Sequence, residues 1–107
     1  MHRILGPGLL ESAYETCLIH ELRLKKLRVE SQKPLPIFYK GAMFDCGYRL
    51  DLMVENQVIL EIKSVSSLLP IYDAQLLSYL KLSNCKMGLL LNFNVKMTKS
   101  GIRRLRI

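Results

Sequence analysis

Asp51, Glu61, Lys63 and Gln75 are the residues of this chain whose types and spacing could do chemistry. Asp51 ends the run Gly47-Tyr48-Arg49-Leu50-Asp51, and Glu61-Ile62-Lys63 follows ten positions later within an apolar segment that starts at Val58. A strand that apolar normally keeps charge off its buried side, because an unpaired buried carboxylate or ammonium is expensive. Period-two alternation puts Glu61 and Lys63 on one face and Ile62 on the other. If Glu55-Asn56-Gln57 closes a hairpin, Val54 opposes Val58 and Asp51 opposes Glu61, with Cβ atoms about 5 Å apart. Two carboxylates that close repel each other, and Mg²⁺ or Mn²⁺ between them removes the penalty, since hard cations take oxygen ligands and bind phosphate. The backbone carbonyl of Ile62 is a third candidate ligand. Such an ion would polarise a phosphoryl oxygen and acidify a water. Lys63 would position that water or offset charge developing in the transition state; a role as base would require its desolvation beside the metal. The chemistry implied is metal-assisted phosphodiester hydrolysis.

Several elements must carry these residues into register. His2 to Gly8 reads as the tail of a helix stopped by Gly6-Pro7-Gly8. From Leu9 to about Lys26, Leu10, Tyr14, Cys17, Leu18 and Leu22 recur near helical spacing, with Glu11 in the first turn. Val29 to Tyr39 reads as extended chain confined to an edge by Pro34 and Pro36. Ala42 to Val54 reads as one strand kinked at Gly47, returning through Val58 to Val65 as a hairpin. A loop over Ser66 to Pro70 precedes a helix from Asp73 to Leu82. In that helix Gln75 and Tyr79 share a face at i and i+4, apart from the face of Leu76 and Leu80. Lys86 to Phe93 is apolar enough to be buried on both sides, and Ser100 to Ile107 is a basic strand or tail. The order α-β-β-β-α-β predicts an α/β (α+β) fold, one sheet with helices packed on it, formed by residues 1–107 as one domain.

Lys and Arg outnumber Asp and Glu by 16 to 9, a balance that favours a polyanionic partner. No apolar run is long enough to span a bilayer and no signal pattern opens the chain, so no membrane partner is expected. Cys17, Cys46 and Cys85 are odd in number and scattered, which fits a reduced, cytoplasmic setting.

Read together, these blocks resemble a known family. Gly8-Leu9-Leu10-Glu11-Ser12-Ala13-Tyr14 looks like the motif that names the GxxExxY protein family, placed in the PD-(D/E)XK nuclease superfamily on its RecB-like side. The likeness continues through Gly47 to Asp51, Glu61 to Lys63, Ala74 to Leu80 and Gly88 to Asn94, ending near Arg104. It implies the restriction-endonuclease-like αβββαβ core with a mixed central sheet. Under it Asp51 is the acidic motif, Glu61 and Lys63 the E-x-K triplet, and Gln75 with Tyr79 the Q-x-x-x-Y pair. Three departures stand out: less helix ahead of His2 than the family has, Tyr72-Asp73 where His-Glu is usual, and three cysteines where an iron–sulfur relative needs four.

The expectation is therefore a Mg²⁺- or Mn²⁺-dependent nuclease acting on DNA ahead of RNA. Asp51, Glu61 and the Ile62 carbonyl hold metal, and Asp51, Glu61, Lys63 and Gln75 are catalytic. Glu11 and Tyr79 give support, with Glu11 reaching the metal through a water. Arg49, Tyr79, Arg103 and Arg104 contact nucleic acid, and a homodimer would enclose a duplex. The plain alternative is a solvated hairpin face with weak cross-strand pairs. Glu11 suits a first helical turn in any case, Tyr14 suits a core with its hydroxyl at the rim, and His2 and His20 are isolated. Asp45 is a rival carboxylate. A binding module without activity and a protein-interaction scaffold are the competing classes.

Overall fold

Local chain chemistry accounts for most of the elements. In the structure, a computed structural model, residues 5–94 and 101–107 are described. The helix tail expected from His2 therefore lies outside the described residues up to Leu5, which is helical. Gly6 and Gly8 stop it with left-handed backbone, at φ 69° and 100°. Helix α1 (Glu11–Leu24) follows, then β1 (Val29–Pro34), β2 (Ile37–Tyr39) and β3 (Ala42–Phe44). β4 (Arg49–Val54) and β5 (Val58–Lys63) form the anticipated hairpin. Helix α2 (Pro70–Ser83) leads into β6 (Met87–Asn92), and β7 (Ile102–Arg106) closes the chain.

Two expected boundaries change. The segment Ala42 to Val54 is not one kinked strand: β3 pairs only with β2 in a separate two-stranded arm, and β4 belongs to the main sheet. Gly47, at φ 82°, turns the chain between them. Helix α2 begins at Pro70, three residues before Asp73, because proline suits a first helical position whose N–H needs no partner.

Among the described residues the main sheet has five strands in the order β1-β4-β5-β6-β7. β5 and β6 are parallel, and the other neighbours are antiparallel. A parallel pair needs a crossover, which α2 supplies. β1, with Pro34, takes an edge as its proline requires. Alternation along β5 sends Ile59 to one face and Val58, Leu60 and Ile62 to the other. The first face packs with Leu76, Tyr79 and Leu80 of α2. The second packs with Tyr14, Leu18, Ile19 and Leu22 of α1. The result is a mixed α+β sandwich, a five-stranded sheet between two helices, consistent with a restriction-endonuclease-like fold. α2 lies so close to β6 that a Cβ on Gly88 would meet Leu76 Cδ1 at 2.9 Å. No helix among the described residues is long and apolar enough to cross a membrane.

Candidate active site

The hairpin register expected from the three-residue turn is the observed one as far as Leu52 and Leu60. The turn closes with Gln57 N–H on the Val54 carbonyl at 3.0 Å, and Val54, Met53 and Leu52 face Val58, Ile59 and Leu60. Glu55 and Asn56 adopt left-handed backbone, φ 53° and 56°, which non-glycine residues seldom do. Glu55 is held there from outside the turn. Its Oε1 accepts Arg28 N–H at 2.6 Å, and its own N–H donates to the Arg28 carbonyl.

Beyond Leu52 and Leu60 the β4–β5 pairing stops, and the β1–β4 pairing skips Gln32 and Asp51. The sheet therefore opens on both sides of Asp51. The two acids occupy the β4–β5 gap: Asp51 N–H donates to Glu61 Oε2 at 2.9 Å, and Ile62 N–H donates to Asp51 Oδ2 at 2.8 Å. Side chains thus replace the ladder bonds that the main chain has given up, satisfying both amides. N–H and C=O of one extended residue point the same way, so the Ile62 carbonyl faces this gap as well. The Lys63 carbonyl points the other way and accepts Phe93 N–H.

Burial sets the electrostatics. Glu61 is only 6 % exposed. Loss of water raises its pKa to about 8, the Asp51 charge adding to the rise, while the Asp51 N–H and Lys63 pull the other way. Two carboxyl groups with an oxygen of each facing one gap, the Glu61 one resisting ionisation without a cation, are a donor set that a hard divalent ion fits. The described residues contain no group of three or more His, Cys, Asp and Glu placed to hold a metal. The groups that would hold such an ion are the two carboxylates and the Ile62 carbonyl.

The other expected residues gather less tightly. Lys63 shares the face of Glu61, but its ammonium rests over Tyr72, 4.8 Å from the ring centroid. It makes no ion pair with Asp51 or Glu61 among the described residues. Gln75 Nε2 donates to Tyr79 Oη at 2.9 Å, as their i, i+4 spacing anticipates. Tyr79 is not on a face apart from Leu76 and Leu80: it is 6 % exposed and packs in the same core cluster. Burial, and then the Glu61 charge, pushes its phenol above the ordinary value. Little of its ring is therefore open for the expected contact to nucleic acid, although it lines a groove beside α2. Glu11 does approach the hairpin, where it accepts Ser64 N–H at 2.9 Å, one residue past Lys63.

The basic residues divide. Arg103 is tied to Asp73 at 2.7 Å, so its guanidinium is committed within the fold. Arg49 bonds the Tyr48 carbonyl and lies 3.8 Å from Asp45. Arg104 is exposed on β7. Asp45, the rival acid, is exposed and accepts Gly47 N–H in a local turn.

Three contributors escaped the sequence reading. Glu15 binds Gln32 Nε2 at 2.9 Å, and Gln32 also touches Asp51 Oδ1 at 3.4 Å. Glu15 adds to the rise of the Glu61 pKa. Its position one helical turn after Glu11 was the available signal; the left-handed backbone of Gln32 (φ 51°) left none. Asn92, buried beside the end of β5, is the third. Its amide brackets Val65, donating to the carbonyl at 2.9 Å and accepting the N–H at 3.1 Å, and so fixes the chain that leaves Lys63.

No curated protein and no solved structure matches this chain. A family match does exist, running from residue 1 to residue 105 and so through both acids, Lys63 and α2. With nearly the whole chain covered, the protein belongs to the PD-(D/E)XK nuclease superfamily.

Proposed function

We propose that residues 1–107 form one nuclease domain that hydrolyses nucleic-acid phosphodiester bonds with Mg²⁺ or Mn²⁺, on DNA ahead of RNA, in the cytoplasm. The observation that carries this reading is the gap in the sheet where Asp51 and Glu61 face each other, each accepting a backbone N–H from the opposite strand. Asp51, Glu61 and the Ile62 carbonyl hold the ion. Once bound there, the ion supplies Lewis acidity toward a phosphoryl oxygen. Asp51 and Glu61 are oriented by the amides they accept, so little reorganisation is needed to present their oxygens. The Lys63 ammonium, which rests over Tyr72, is within its stem's reach of a phosphate bound at the acids, where it would offset the negative charge that develops. Gln75 and Tyr79 support the wall beside it, and Glu11 and Glu15 hold the helix α1 side. The likeness of the Gly8 to Tyr14 run to the GxxExxY motif supports grouping the chain with those proteins inside the superfamily.

The test is cleavage of plasmid and of single-stranded DNA with Mn²⁺ or Mg²⁺, with and without chelator. Cleavage should need metal and disappear in folded Glu61→Gln and Lys63→Ala proteins. Salt-sensitive DNA binding that never becomes cleavage would replace the enzyme by a binding module.

A further inference from the structure

Helix α2, Ile37 of β2 and Tyr48, three residues before Asp51, bound a groove of about 570 Å³, within the usual size range of small-molecule sites. Three tyrosines, Tyr48, Tyr72 and Tyr79, line it, with Ile37 and Ile71 as apolar walls and Gln75 as a polar group. Tyr48 and Tyr79 meet edge to face, with centroids 6.1 Å apart. Tyr48 is 42 % exposed and Ile71 65 % exposed, so two large side chains of the lining remain open to solvent.

We infer that this groove receives one unpaired nucleobase of the strand being cut, stacked on Tyr48. This rests on the nuclease reading and adds a substrate class to it: single strands, flaps or frayed ends in preference to intact duplex.

Three features of the groove favour a nucleobase as occupant. A base offers a π-face to tyrosine, and stacking of this kind tolerates any sequence. Gln75, whose Nε2 is engaged by Tyr79, keeps an amide oxygen to meet a base edge. Charge complementarity agrees. The Lys63 ammonium sits on the ring of Tyr72, and the Arg49 guanidinium bonds the Tyr48 carbonyl, so a cation stands near two of the lining tyrosines. Phosphates flanking a stacked base would therefore meet positive charge. A base within a duplex is already stacked and paired, and must be extruded before it can enter such a pocket.

The experiment measures anisotropy of fluorescein-labelled oligodeoxythymidylate, and of a blunt duplex, with the full chain in excess EDTA at fixed salt. Tyr48→Ala should weaken single-strand binding about tenfold, the loss of one stacked base, while Tyr48→Phe stays within about twofold of the parent. Ile71→Glu, at an exposed position, should weaken it similarly by placing negative charge at the mouth. Duplex binding should change little in all three. Equal losses on duplex and single strand, undiminished single-strand binding in Tyr48→Ala and Ile71→Glu, or no single-strand binding by the parent would each overturn the proposal. Because no metal is present, the outcome is independent of hydrolysis. Tyrosine-dependent binding without any cleavage would sink the nuclease reading alone, and cleavage indifferent to Tyr48 would sink this one alone.

Discussion

Replacing Glu61 by Gln should make the metal-free protein more stable and, at the same time, inactive. The carboxylate is buried against Asp51, and its pKa rises from 4.5 to about 8, a gap worth up to about 5 kcal/mol between its two protonation states. Between those values the folded chain holds a proton that the unfolded chain has released. Stability from this group is therefore complete below about pH 4.5 and is lost as pH rises through about 8. The Glu61→Gln protein would have no such slope, yet its amide oxygen can still accept the Asp51 N–H that Glu61 Oε2 takes at 2.9 Å. Water penetration softens buried charge, so about half of the full gap, roughly 2–3 kcal/mol, should appear as extra stability of Glu61→Gln near pH 9. Near pH 5 the two proteins should nearly coincide. Urea denaturation in EDTA across this range measures it, and melting should differ by on the order of 10 °C at the alkaline end. Adding Mn²⁺ at about 100 times its Kd should raise the parent by roughly 2.7 kcal/mol and leave the variant unmoved. A variant less stable than the parent near pH 9, or an offset independent of pH, would refute the buried, Asp51-opposed carboxylate.

Calorimetric titration of Mn²⁺ should give binding to the parent that weakens at least about tenfold in Asp51→Asn, one charged ligand fewer on a hard ion; equal affinity would remove Asp51 from the site. Gly88→Ala should cost about 1–3 kcal/mol through the Leu76 clash, and the loss should shrink in a Leu76→Ala background, where the double-mutant cycle reads the coupling. Asn92→Ala should cost about 2–3 kcal/mol in urea denaturation by leaving the Val65 amide and carbonyl without their buried partner. It should also lower cleavage rate beyond its effect on folded fraction, because the chain leaving Lys63 is freed.

The sequence by itself determined the hairpin as far as Leu52 and Leu60, since a three-residue turn and a period of two leave one register that buries Leu52, Leu60 and Ile62 together. The helices were legible in outline for the same reason of period, and the proline-marked edge strand was too. Tertiary structure alone decided the rest. Periodicity fixes angles between residues on one helix but not which way the helix is rolled, so Tyr79 could be placed relative to Leu76 yet not inside or outside the core. The β2–β3 arm has strands of three residues each, too short for alternation to register, and so merged with its neighbour. Arg103 meets Asp73 across 30 positions of chain, a pairing that no local pattern encodes. The splaying of the sheet at Asp51 depends on Gln32, Glu15 and Ile62 arriving from three elements, and only packing brings them to one place.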